Sequence, residues 1–177
     1  MRRTLDALYL GTAWLAAFSV LAICTLMILQ SIGRELGIKT GGTNDVVAWL
    51  CAASAFLAMA HSFKHGDFVR VTLLAEKVSP TVQRALELLA LAIAALAVGY
   101  LTWWATRFTY ESWQFNELSS GLLAIPLWIP QTAFVVGTWV FFISVIDEAW
   151  VVLKGGRPTY VVAVEERHAK GDFSSDV

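Results

Sequence analysis

Four long stretches of the chain carry no Asp, Glu, Lys or Arg, and polar clusters separate them. They cover residues 7–33, 46–63, 88–106 and 122–146, with lengths of 27, 18, 19 and 25 residues. A helix needs about 20 predominantly apolar residues to cross a hydrocarbon core of roughly 30 Å, so each run is long enough, or nearly so, to span. The leading "MRRTLD" has the basic character of a signal peptide. A signal's apolar region, however, is only about 7–15 residues and ends at a small-residue cleavage site. The first run is longer and continues into "QSIGRELG", so it reads as a retained span.

The breaks are as regular as the runs. "GIKTGGTND" interrupts the first helix with three glycines, and Thr43 or Asn44 is placed to cap the next. Ser79-Pro80 reads as an N-cap followed by proline at the first helical position, where its missing N–H costs nothing. That starts a third helix, with its span at about 85–106 and a continuation through "RFTYESW". "NELSSG" closes it, and Asp147-Glu148 stop the fourth run. From Lys154 the chain is polar and mixed in charge, with glycines at 155 and 156. It reads as a short, largely disordered tail over 154–177. The pattern predicts an all-α membrane domain over 1–153, with spans at about 7–33, 46–63, 85–106 and 122–146.

Between the second and third runs lies "KHGDFVRVTLLAEKVSP", in which apolar and charged positions interleave. Taken as a helix over about 67–79, it puts Phe68, Val71, Leu74, Ala75 and Val78 on one side, with Val69 and Leu73 widening that face. Arg70, Glu76 and Lys77 take the other side, and Asp67 is placed to cap the start. At about 13 residues it is too short to span, so it is predicted to lie in the membrane interface with its apolar face on lipid or on a partner's helices.

Composition strengthens this picture. The 177 residues are 57% hydrophobic and only 15% charged, where a soluble domain carries about 25% charged. A net charge of −1 gives no basic field for nucleic acid. With four spans both termini share a side. That side carries ten Lys and Arg against three (Arg34, Lys39, Arg107) on the other, which predicts cytoplasmic termini. Trp103, Trp104, Trp113 and Trp128 gather near the outer ends of spans three and four, as an aromatic belt requires.

Candidate chemistry is sparse. Cys24 and Cys51 lie inside apolar runs without redox or metal spacing. His61 and His65 are four apart and Asp67 is the only nearby third ligand, so a metal site is not expected. A haem would need a histidine facing them from another span, and spans one, three and four have none. Glu87 sits near the start of span three beside Arg84, an interfacial carboxylate at a helix N-terminus. Arg107 and Glu111 form an i, i+4 pair past the third run, with Glu117 close behind as a candidate contact for an outer partner. No charge lies near the middle of any run, where an ion pathway would need one. Phosphate loops, nucleophile elbows and zinc motifs are missing from the sequence, so neither an enzyme nor a cofactor is expected.

Two motifs carry a family resemblance. "HGDFVRVTLL" resembles the cytoplasmic-loop signature of the small membrane subunit of tripartite ATP-independent periplasmic (TRAP) transporters. "ELSSGLLAIPLWIPQTAFVVG" resembles that family's approach to its last span. The resemblance covers about residues 44–137 and fits in span number and order. Phe68 and Thr72 depart from it, standing where the family often has histidine and aspartate. It implies a non-catalytic scaffold in the bacterial inner membrane for a large, sodium-coupled, elevator-type subunit. A periplasmic binding protein would deliver an organic acid, often a C4-dicarboxylate or a sialic acid, to the outer face. Contacts with the large subunit or the membrane interface would fall to Phe68, Arg70, Val71 and Leu74 and to Pro126, Trp128 and Pro130, the prolines setting the angle of span four. Binding-protein docking would fall to Arg107, Glu111 and Glu117. Gly121 and Gly137 are candidates for close helix approach. The rival readings are a membrane anchor for a redox complex and a stand-alone four-helix channel.

Overall fold

The computed structural model describes residues 2–38, 41–67 and 80–169. Its helices are α1 (Arg2–Glu35), α2 (Thr43–His65), α3 (Pro80–Gln114), α4 (Trp128–Leu153) and α5 (Thr159–Ala169). The first four are long and apolar enough to cross a membrane. Among the described residues the only β pairing is a single bridge, Leu118 with Pro126. Residues 68–79, which hold nearly all of the expected interfacial helix with Phe68, Arg70, Val71 and Leu74, lie outside the described residues.

Each expected span exists, but helix ends and charge-free runs differ. α3 begins at Pro80, as Ser79-Pro80 implied, and runs through "RFTYESW" to Gln114. Its 35 residues make about 52 Å of helix, well over the hydrocarbon thickness. α2 is not capped by Thr43 or Asn44. Gly42 takes the N-cap position at φ 86°, without a side-chain cap bond, because the chain turns there against Leu123 and leaves no room for a Cβ.

The fourth span is displaced towards the C-terminus. Residues 122–127, though apolar, form a loop, with Leu127 N–H donating to the Glu117 carbonyl at 2.9 Å and Ser119 N–H to that of Ile125 at 2.9 Å. Pro126 therefore precedes α4, whereas Pro130 does sit in its first turn, where no N–H is needed. At the other end α4 does not stop at Asp147-Glu148 but continues to Leu153, because both carboxylates meet Lys64. The tail also departs from expectation. Thr159–Ala169 is a helix, and it docks on the end of α2.

The spans pack in a row. α1 packs along α2, α2 along α4, and α4 along α3, while α1 barely touches α4. Neighbours are antiparallel: Gln30 near the end of α1 meets Asn44 at the start of α2, and Glu87 near the start of α3 meets Tyr160 of α5, which packs on the C-terminal ends of α2 and α4. The result is a layer one helix thick rather than a closed bundle. Within the most apolar 18-residue window of each span only 11–28% is buried inside the chain, so most apolar surface faces outward.

Close contacts fix the row. Gly137 of α4 lies against the backbone of α2, where a Cβ would come within 2.6 Å of the Phe56 carbonyl carbon. Phe56 and Phe134 pack edge-to-face at 4.3 Å beside it. Between α3 and α4, Thr102 Oγ1, which donates to the Val98 carbonyl of its own helix at 2.7 Å, also lies 3.3 Å from the Thr138 carbonyl, and Trp139 Nε1 donates to Thr106 Oγ1 at 3.0 Å. Thr102 and Thr138 are buried where these two helices meet, since small residues let helices approach where lipid offers no hydrophobic drive.

Candidate functional site

The polar chemistry is concentrated at the two ends of the row. At the tail-bearing end, Lys64 on the last turn of α2 reaches two adjacent carboxylates of α4. Its Nζ donates to Glu148 Oε1 at 2.7 Å and also pairs with Asp147. The Lys64 side chain is 9% exposed and that of Glu148 is fully buried. A lone buried ion would cost several kcal/mol, so these charges hold only as a group. The second oxygen of Glu148 accepts the backbone N–H of Thr159 at 2.9 Å. A carboxylate thus sits at the N-terminus of α5, where free N–H groups and the helix dipole favour negative charge.

The same end ties in every span and the tail. The Tyr9 ring of α1 lies under Lys64, 5.4 Å from Nζ to its centroid. Tyr160 of α5 is buried, packs against Phe63 at 5.6 Å and donates its hydroxyl to Glu87 of α3. Arg84 of α3 donates to the carbonyls of Val152 and Leu153, each at 3.0 Å, and so caps the C-terminus of α4. Glu87 therefore pairs across elements with a tyrosine, and Arg84 caps a neighbouring helix. Gly66 ends α2 at φ 75°, where a Cβ would come within 2.8 Å of the Tyr160 carbonyl. Arg167 closes the arrangement, bonding Asp67 at 3.0 Å and the His65 carbonyl. His61 and His65 do share a face, their rings 4.0 Å apart.

The opposite end is held by a loop. Asp45, in the first turn of α2, accepts the Leu122 N–H at 3.1 Å. Gly121 is needed there, because a Cβ would run into the Asp45 carboxylate. Its role is thus to let the 117–127 loop approach α2, not to bring two helices together. Arg107 and Glu111 meet at 2.9 Å as exposed partners, and Arg107 lies 5.3 Å from the Trp104 ring. Glu117 does not join them; it accepts from Ser112 Oγ at 2.8 Å. Trp128 opens α4 half-buried, while Trp103, Trp104 and Trp113 are exposed, as a belt would be.

Sequence reasoning passed over Lys64, Asp147, Glu148, Asp45 and Arg167. A signal was present: in a four-span chain, Lys64 at the end of run two and Asp147-Glu148 at the end of run four must fall at the same end. Opposite charges bordering two such runs are a pairing prediction. Asp45 and Arg167 carry no comparable signal, since their partners are backbone groups or lie 100 residues away.

No curated protein matches the chain. The family model for the DctQ component of tripartite ATP-independent periplasmic transporters matches residues 23–155, from within α1 to just past α4. That span covers the last part of α1, all of α2, α3 and α4, the loop lock at Asp45 and the Lys64–Asp147–Glu148 group, and stops short of α5. The chain belongs to the DctQ family, the small membrane component of TRAP transporters.

Proposed function

We propose that this chain is the non-catalytic scaffold of a sodium-coupled TRAP transporter in the bacterial inner membrane, with both termini cytoplasmic. It braces a large elevator-type subunit while a periplasmic binding protein delivers an organic acid, of the C4-dicarboxylate type or similar. The observation that carries this reading is the one-layer row of spans. A row buries little of its own apolar surface and offers two broad faces, which suits a brace laid against a larger membrane protein. Locks at both ends, on Lys64 and on Asp45, give the row the stiffness that a static partner to a moving domain needs. The middles of the spans hold no charge, so the chain has no foothold of its own for a coupled ion.

Within this reading the exposed Arg107–Glu111 pair and Glu117 face the binding protein. Pro126, Trp128, Pro130 and the Phe68, Arg70, Val71 and Leu74 segment serve the large subunit or the membrane interface. The test is sodium-dependent uptake of organic acids in cells carrying all three components or lacking one. Uptake requires this chain, and this chain alone supports none; transport by the chain alone would overturn the scaffold reading. Glu111→Lys combined with Glu117→Lys should lower uptake severalfold at unchanged expression. Unchanged uptake would remove the docking assignment and leave the scaffold reading standing.

A further inference from the structure

We propose that the cleft between the end of α1 and the start of α2 holds the anionic head group of a phospholipid. The cleft is about 650 Å³, and its lining includes Met27, Gln30, Ser31, Arg34, Ile38 and Asn44. That volume falls in the range, about 300–1,000 Å³, of small-molecule sites.

Arg34 is the reason for the assignment. Lys64 and Arg107 have carboxylate partners, as do Arg157 with Glu165 and Arg167 with Asp67. Arg84 bonds two carbonyls, and Lys154 lies 4.8 Å from the Trp150 ring. Among the described residues Arg34 makes no ion pair, side-chain hydrogen bond or ring contact, and its side chain lines this cleft. Five guanidinium N–H donors stand ready for a phosphodiester, which they match two at a time. Ser31 adds a hydroxyl. Asn44 uses its oxygen on Gln30 at 3.1 Å, which points its amide donors away from that bond.

The surroundings select a lipid. Arg34 follows directly on the first charge-free run, at the level where head groups lie. Met27 and Ile38 supply an apolar wall, and Ile28, Leu29 and Ile32 beside it are exposed to the bilayer, so acyl chains have a continuous surface to follow. The lining contains no Asp or Glu. An ethanolamine or choline cation would find no counter-charge there, which favours an anionic head group such as phosphatidylglycerol over a zwitterionic one. The inference needs only that the four spans sit in a bilayer, and it stands or falls separately from the transporter reading.

Native mass spectrometry of the detergent-purified full chain, titrated with phosphatidylglycerol or phosphatidylcholine of matched acyl chains, tests it. One phosphatidylglycerol should be retained in preference to phosphatidylcholine. Arg34→Gln should weaken that retention about tenfold, the size of one lost charge-assisted contact. Arg34→Lys should recover part of it. Arg107→Gln, which removes a surface cation at the same end, should leave the lipid retention of the purified chain unchanged. Circular dichroism of each variant verifies that the helices persist. Equal retention of the two lipids, or Arg34→Gln behaving as the parent chain, would overturn the proposal. So would displacement of the lipid by millimolar inorganic phosphate, which would make this a site for free anions. If Arg34→Gln instead weakened association with another transporter subunit while leaving lipid retention intact, the cation would serve a protein partner and the lipid assignment would be wrong.

Discussion

Lys64 holds two carboxylates in a place where water is scarce, and the cost of separating them sets the size of the effects expected there. Glu148 is fully buried and uses its other oxygen on α5. Lys64→Met leaves that charge uncompensated and should cost about 3–5 kcal/mol of stability, read from denaturant unfolding in detergent. Adding Glu148→Gln to it should return much of that loss, because the penalty comes from the orphaned charge rather than from the missing attraction. Additive losses in this double-mutant cycle would show that the two residues are not coupled. Gly137 works by absence. A side chain there meets the Phe56 backbone, which cannot move without parting α2 from α4. Gly137→Leu should therefore cost about 1–3 kcal/mol or more in the same assay, whereas the same change at Gly11, which has open space beside it, should be close to neutral.

At the scale of elements, α5 is the part held chiefly by specific contacts. Its start is fixed by Glu148 on the Thr159 N–H, by Tyr160 on Glu87 and by the seat over Gly66. Tyr160→Ala empties a buried position and should cost about 3–5 kcal/mol. It should also speed tryptic cleavage at Lys154 and Arg167 while the four spans remain helical. Cleavage at the parent rate would mean that α5 is held by something else. This element also marks where sequence reading ran out. The spans were legible because lipid demands long apolar runs, which composition alone reveals. The tail has a polar composition, and its helix depends on partners 70 to 100 residues away. Local sequence does not display such partners. The ends of α4 were misplaced for a related reason: a charge-free run measures what lipid tolerates, while Lys64 lets the helix carry two carboxylates beyond it. Gly137 is a close-approach residue, as a glycine within an apolar span suggests, whereas Pro126 lies two residues before the start of α4 because the apolar residues ahead of it form a loop.

For the whole molecule, the order α1–α2–α4–α3 matters more than the count of spans. A closed four-helix bundle would bury its own seam and need no partner, but a row leaves two faces to be covered. Exposed Leu86, Leu89, Ile93, Leu96 and Tyr100 on α3, and Leu10, Trp14, Phe18 and Leu21 on α1, are the surfaces available to lipid and to a second membrane subunit. Membership in the DctQ family makes the chain one component of a tripartite transporter, and under the proposed scaffold function these faces are where another component would lie. The most direct test is the mass of the intact complex, measured by native mass spectrometry after co-expression of this chain with the large membrane subunit of a TRAP transporter. The scaffold account predicts a one-to-one assembly of the two chains that persists in mild detergent. Recovery of this chain only as a monomer or as copies of itself, with the large subunit expressed and folded in the same membranes, would contradict it.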